Sequence, residues 1–229
     1  MKGYGQFCPV ARASEVLAER WTPLILRELL SGSHRFNDLR RGVPLISRSL
    51  LAKRLRELED AGVVERCPGA GDRRASEYHL TEAGEELRPI IEALGTWGQR
   101  WIVSDVGEEQ LDPSLLMWDV RRNLDKTELP VERAVVLFRF TDVDGPQRRW
   151  WLIADRRDID LCMTDPGFDV DLVVSATLRG LTRYWIGRSS WSALLRPGEL
   201  TLDGPRQLQR SLPRWLERSP FAHVSHARE

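Results

Sequence analysis

The segment Gly42-Val43-Pro44 stops one helical pattern and Ser47 begins another, and this interruption constrains the fold more than any other feature. A residue before proline resists the α region, so a short helix over about Asn37–Arg41 cannot continue through it. The following helix is expected from Ser47 to about Ala61, with Gly62 as its stop. Leu50, Leu51, Leu55 and Leu58 recur at helical spacing and should bury against earlier helices. Arg48, Ala52 and Arg56 fall on another face, with Ser49 and Lys53 beside them.

The flanking segments complete an order. Val10, Ala13, Val16 and Leu17 mark an amphipathic first helix. Thr22 reads as the cap of a second helix, with Pro23 at its first position and Gly32 as its stop. After the break, Val63–Cys67 and Glu77–Leu80 read as strands joined by the loop Pro68–Asp72. Thr81 is expected to cap one long helix ending around Trp101. Helix, helix, short turn, helix and hairpin is the order of a winged helix-turn-helix, whose helix after the turn enters the major groove.

The chain has 34 Lys+Arg and 34 Asp+Glu, and zero net charge taken alone argues against a nucleic-acid partner. The local count reverses that. Within residues 35–56, Arg35, Arg40, Arg41, Arg48, Lys53, Arg54 and Arg56 face Asp38 alone. Arg48 and Arg56 can fork onto guanine, and Ser47 and Ser49 can exchange hydrogen bonds with several bases beside Ala52 and Lys53. Arg35, Arg40 and Arg41 can hold phosphates, and Arg73 and Arg74 at the hairpin tip can meet phosphates or a minor groove. A solvated basic helix face is the alternative, and its placement in this helix order favours double-stranded DNA.

Residues 8–101 resemble the HxlR-type transcriptional regulators of bacteria. The likeness rests on Cys8-Pro9-Val10-Ala11-Arg12-Ala13, Trp21-Thr22-Pro23-Leu24-Ile25-Leu26-Arg27-Glu28-Leu29 and Arg35-Phe36-Asn37-Asp38-Leu39. It continues through Ile46–Leu58 and Tyr78-His79-Leu80-Thr81-Glu82-Ala83-Gly84. The resemblance implies a winged-helix homodimer on operator DNA. Leu87, Ile90, Leu94, Trp97 and Trp101 form an apolar seam at steps of three and four. By spacing alone that seam is a core stripe or a dimer face, and the resemblance points to the dimer. It also implies Cys8 as a candidate redox sensor, since some family members use a cysteine there; a small buried residue is the alternative reading.

A boundary is expected near Val103–Pro113, giving an N-terminal winged helix-turn-helix over 1–105 and a second domain over 106–229. The second part reads as helix Leu115–Val120, strands Arg133–Phe140, Arg149–Asp155, Asp158–Met163 and Asp169–Ala176, then helices Leu178–Gly187 and Ser190–Leu195. Strand Glu199–Gly204 and helix Pro205–Leu216 close it. Residues Asp169 to Leu216 resemble the sterol-carrier-protein-like lipid-binding domains, by order of elements more than by fixed side chains. That implies a mixed α/β domain, an α+β chain as a whole, and an apolar tunnel for a hydrophobic small-molecule effector. Trp150 and Trp151 adjoin in one strand, so they face opposite sides. Trp151, Phe168, Trp185 and Trp191 are the candidate ligand-binding side chains.

Other classes find little support. No phosphate-binding loop, dinucleotide fingerprint or nucleophile elbow is present, so catalysis, a cofactor and a metal are not expected. His223 and His226 read as surface, and Asp169 and Asp171 as solvated. A hydrophobic content of 41% with 30% charged residues excludes disorder. Three cysteines make no disulfide framework. No apolar run is long enough to span a bilayer and the start lacks a signal-peptide core, so no membrane partner and a cytoplasmic location are expected. The rival to a regulator is a lipid or sterol-like carrier whose winged helix mainly dimerises.

Overall fold

The break at Gly42-Val43-Pro44 separates two helices in the structure, a computed structural model that describes residues 3–69, 76–102, 106–196 and 198–227. The chain divides into two compact units, Met1–Gly95 and Thr96–Glu229. The division falls inside a helix rather than in the polar stretch after it, of which residues 103–105 lie outside the described residues.

The N-terminal unit runs α1 (Pro9–Leu17), α2 (Thr22–Leu30), α3 (Phe36–Gly42), α4 (Arg48–Asp60), β1 (Val64–Pro68), β2 (Ser76–Leu80), α5 (Glu82–Glu85) and the first half of α6 (Arg88–Trp101). Leu51, Leu55 and Leu58 of α4 are buried with Ile25, Leu26 and Leu29 of α2 and Leu39 of α3, and Leu50 packs on their edge. Each such leucine contributes about 1.5–3 kcal/mol by leaving water. The Ser47 hydroxyl accepts from the Leu50 amide at 3.2 Å, which pairs an otherwise orphaned donor at the start of α4. Gly42 closes the turn under α2. A Cβ there would clash with the Glu28 carboxylate, itself fully buried and held by Arg27 at 2.7 Å. The same Arg27 guanidinium donates to the Gly42 carbonyl at 2.8 Å.

Two helix boundaries differ from expectation. Trp21, not Thr22, occupies the cap of α2, in the left-handed region at φ 79°, and Thr22 is buried as the first helical residue. That conformation costs a non-glycine residue about 1–2 kcal/mol, so the packing around Thr22 and Ile25 must hold it. Thr81 does cap a helix, its hydroxyl accepting from the Gly84 amide at 3.2 Å. That helix is only α5, and the chain re-enters helix at Arg88. Pro89 has no amide hydrogen to donate, so it fits the first turn of α6 and not the interior of one continuous helix.

The C-terminal unit contains α7 (Pro113–Arg122), β3 (Ala134–Phe140), β4 (Arg149–Ala154), β5 (Ile159–Cys162), β6 (Leu172–Ala176), α8 (Leu178–Trp185), α9 (Trp191–Leu194), β7 (Leu200–Asp203) and α10 (Arg206–Trp215). The strands lie in the order β5-β4-β3-β6-β7, with β3 and β6 parallel and the other neighbours antiparallel. Met117 of α7, Leu181 of α8 and Leu212 and Trp215 of α10 bury with Val136, Phe138, Leu152 and Val174 of the sheet. Asp112, Thr177 and Ser190 cap α7, α8 and α9.

Trp150 and Trp151 do face opposite sides. Trp150 joins the core under the helices and donates Nε1–H to the Gln147 carbonyl at 2.8 Å. Trp151 lies on the other face, between Leu137 of β3 and Cys162 of β5. Asp171 is not simply solvated: it precedes β6 and accepts from the Val135 amide at 2.8 Å. His223 is exposed, but His226 is buried at 8% exposure, which corrects the surface reading for that residue. Among the described residues no helix is long and apolar enough to cross a membrane.

Candidate nucleic-acid interface

The buried leucines of α4 fix which of its faces meets solvent. Arg48, Ser49, Lys53 and Arg56 are exposed and Ala52 is half-exposed, one turn apart along the helix. Ser47 is exposed as well, its hydroxyl 3.2 Å from that of Ser49. Arg35, Arg40 and Arg41 are exposed on and before α3. The structure therefore places nine of the eleven expected DNA contacts around one turn. Arg73 and Arg74 lie outside the described residues.

Several of these cations have partners within the unit. Arg48 donates to Asn37 Oδ1 at 3.3 Å, Arg41 meets Asp38 at 3.3 Å, and Lys53 lies 3.7 Å from Glu57. Arg35 reaches across to Glu77 of β2 at 3.2 Å. The three ion pairs are surface pairs, worth about 0–1 kcal/mol each, so they hold these cations only weakly. Arg40 and Arg56 form no ion pair among the described residues. Arg54 is different. It is buried at 8% exposure, bonded to Glu57 and Glu19 at 2.5 Å each and to the Arg20 carbonyl at 3.1 Å. Its charge ties α4 to the turn between α1 and α2 and is already neutralised there, so the basic excess read from residues 35–56 is overstated by that residue.

Two neighbours escaped the sequence reading. Asn37 holds Arg48 from eleven positions away, and Glu77 joins Arg35 to the hairpin. The Arg35 hydrogen bond, with a smaller one from His79, holds the Glu77 carboxyl below its ordinary pKa. His79 in turn stacks on His34 with ring centroids 4.3 Å apart. No local sequence signal marks either contact, since both are made by the fold.

The other expected residues are more dispersed. Of the seam, Leu87 is half-buried against its own core, and Ile91, one position from the seam, is a buried hydrophobic residue of α6. Ile90 and Leu94 are each 51% exposed, Trp97 55% and Trp101 50%, which is an unusual apolar load for a solvated helix face. Cys8 is a free, partly exposed cysteine at the start of α1, in a shallow groove with Tyr4 and Val10. The four ligand candidates do not line one cavity. Trp185 is in the core with its Nε1 unpaired among the described residues, and Trp191 packs edge-on to Tyr184 at 5.3 Å. Phe168 is 40% exposed under the Arg133 guanidinium, and Trp151 sits on the far sheet face. A groove along α10 is lined by none of the four.

The sequence also has relatives. The HxlR-like helix-turn-helix family model matches residues 16–106. The uncharacterized HTH-type transcriptional regulator YvaP of Bacillus subtilis is 37% identical over 112 residues, which span 48% of this chain and 95% of that relative. The uncharacterized HTH-type transcriptional regulator Rv3095 of Mycobacterium tuberculosis is 44% identical over 93 residues, 41% of this chain and 58% of that relative. The solved structure of the redox regulator HypR in its oxidized form aligns at 35% identity and a TM-score of 0.38, covering 40% of this chain and 95% of that one. Matched across nearly the whole of YvaP and carrying its buried leucines and exposed arginines on the helix after the turn, the chain belongs, through its N-terminal part, to the HxlR-like helix-turn-helix family.

Proposed function

We propose that the protein is a transcriptional regulator that reads operator DNA through α4 as a homodimer and responds to a small molecule held by its C-terminal unit. One observation carries the DNA reading. The helix after the turn buries one face completely and offers Arg48, Ser49, Ala52, Lys53 and Arg56 on the other. Arg48 and Arg56 serve as base readers, with Arg35, Arg40, Arg41 and Lys53 on phosphates. The relatives' printed descriptions as transcriptional regulators agree with this use. The exposed Ile90, Leu94, Trp97 and Trp101 supply the apolar face that a second copy would cover. The C-terminal unit is taken as a sterol-carrier-like ligand module, a reading supported by its strand order and by the packing of α7, α8 and α10 on the sheet.

The test uses duplexes enriched from a random-sequence pool by the full-length protein. The Arg48→Ala, Arg56→Ala double variant should lose about 2–6 kcal/mol of affinity for the enriched duplex, at about 1–3 kcal/mol per base-reading arginine. An unchanged affinity would contradict the reading and leave the winged helix as a dimerising element.

A further inference from the structure

A groove of about 350 Å³ runs along α10 between that helix and residues 127–130. Its size is at the small end of ligand cavities, which span roughly 300–1,000 Å³. Two guanidinium groups line it, those of Arg156 and Arg214, against the single carboxylate of Glu128. Arg156 is anchored by its Nε, which donates to the Leu129 carbonyl at 3.1 Å. Its remaining guanidinium nitrogens are donors left over for a ligand. Arg214 pairs with Glu128 at 3.1 Å, but both side chains are largely exposed, so the pair is weak and exchangeable. The opposite character is also present: Leu129, Leu208 and Trp215 give the groove an apolar wall. Trp215 is 1% exposed, and its Nε1–H finds no acceptor among the described residues.

We infer that this groove binds a small organic acid, a carboxylate carried on an apolar or aromatic body. The carboxylate sits between Arg156 and Arg214, where planar fork geometry suits it, and the body lies along Leu208 and Trp215. A neutral lipid would make no use of the two guanidinium groups, whereas a carboxylate gains charge-assisted hydrogen bonds from both. Glu128 acts as the internal competitor that an incoming carboxylate replaces at Arg214. This rests on the proposed role of the C-terminal unit as a ligand module, and narrows the ligand from a hydrophobic molecule to an amphipathic anion.

Full-length protein is titrated by calorimetry with naphthoate and, separately, with neutral naphthamide. Naphthoate should bind saturably, and Arg214→Gln should weaken it about tenfold. Glu128→Gln should tighten it, a sign that misfolding cannot imitate. Naphthamide should bind at least about tenfold more weakly and be indifferent to both changes. Equal binding of the two probes, or naphthoate binding unmoved by both variants, overturns the groove assignment while the ligand-module reading stands. Saturable binding of neither probe overturns both.

Discussion

In the N-terminal unit the expected partner contacts sit on α3, α4 and the turn between them, from Arg35 to Arg56. In the C-terminal unit the groove is assembled from residues 127–130, Arg156 and one face of α10. The first site lies on two consecutive helices, most of it on α4, and the second is a junction of three segments distant in sequence. A face inherits its precision from the helix beneath it, so the rigid part of the site is the buried leucine stripe. A junction inherits its precision from the whole core, here Phe138, Leu152, Leu212 and Trp215.

This difference can be broken first by removing core. Phe138→Ala should destabilise the C-terminal unit by about 3–5 kcal/mol, read by chemical denaturation, while folded protein keeps its DNA affinity. Leu55→Ala should cost about 2–5 kcal/mol in the N-terminal unit and also lower DNA affinity, because it loosens the helix that carries the contacts. If Phe138→Ala proves as damaging to DNA affinity as Leu55→Ala, the two sites do not depend on separate cores.

A finer division is predicted within α4. Arg56→Ala should cost about 1–3 kcal/mol and relax preference at one base position. Lys53→Ala should weaken all sequences alike and reduce the salt slope of binding by about 1. Ser47→Ala should cost about 1 kcal/mol of stability through the lost cap, measured by thermal denaturation.

The smallest effect concerns Glu77. Its folded pKa is lowered, first by Arg35, so the Arg35 pairing stabilises the fold above the ordinary carboxylate range. That contribution fades as pH falls through the lowered value. Glu77→Gln should therefore lower stability slightly at neutral pH, converge with the parent protein in acid and so flatten the acid arm of the stability curve; an unaltered acid arm would show that the pairing contributes nothing.

The comparison also explains what could be read in advance. Cap, leucine stripe and exposed arginines of α4 are local patterns, and the sequence displays them at helical spacing. The strands and helices of the C-terminal unit were legible in order from their apolar runs, while the caps Asp112, Thr177 and Ser190 emerge only in the structure. What eluded the sequence is long-range. Arg54 belongs to the basic run by position, yet Glu19 and Glu57 bury it. Trp185 is aromatic like a pocket residue, yet the core absorbs it. Arg156 and Arg214 carry no shared pattern until the sheet brings their segments together. The winding of Trp21 into the left-handed region has no signal in its residue type, since glycine or asparagine is the usual occupant.

If α4 reads DNA as one of a symmetric pair, the duplexes that the full-length protein enriches from a random pool will carry an inverted repeat. Its half-sites will lie about 10 base pairs apart or a multiple of that, and it will disappear from the pool enriched by the Arg48→Ala, Arg56→Ala variant. Enrichment of no motif, or of the same motif by both proteins, would contradict that reading of α4.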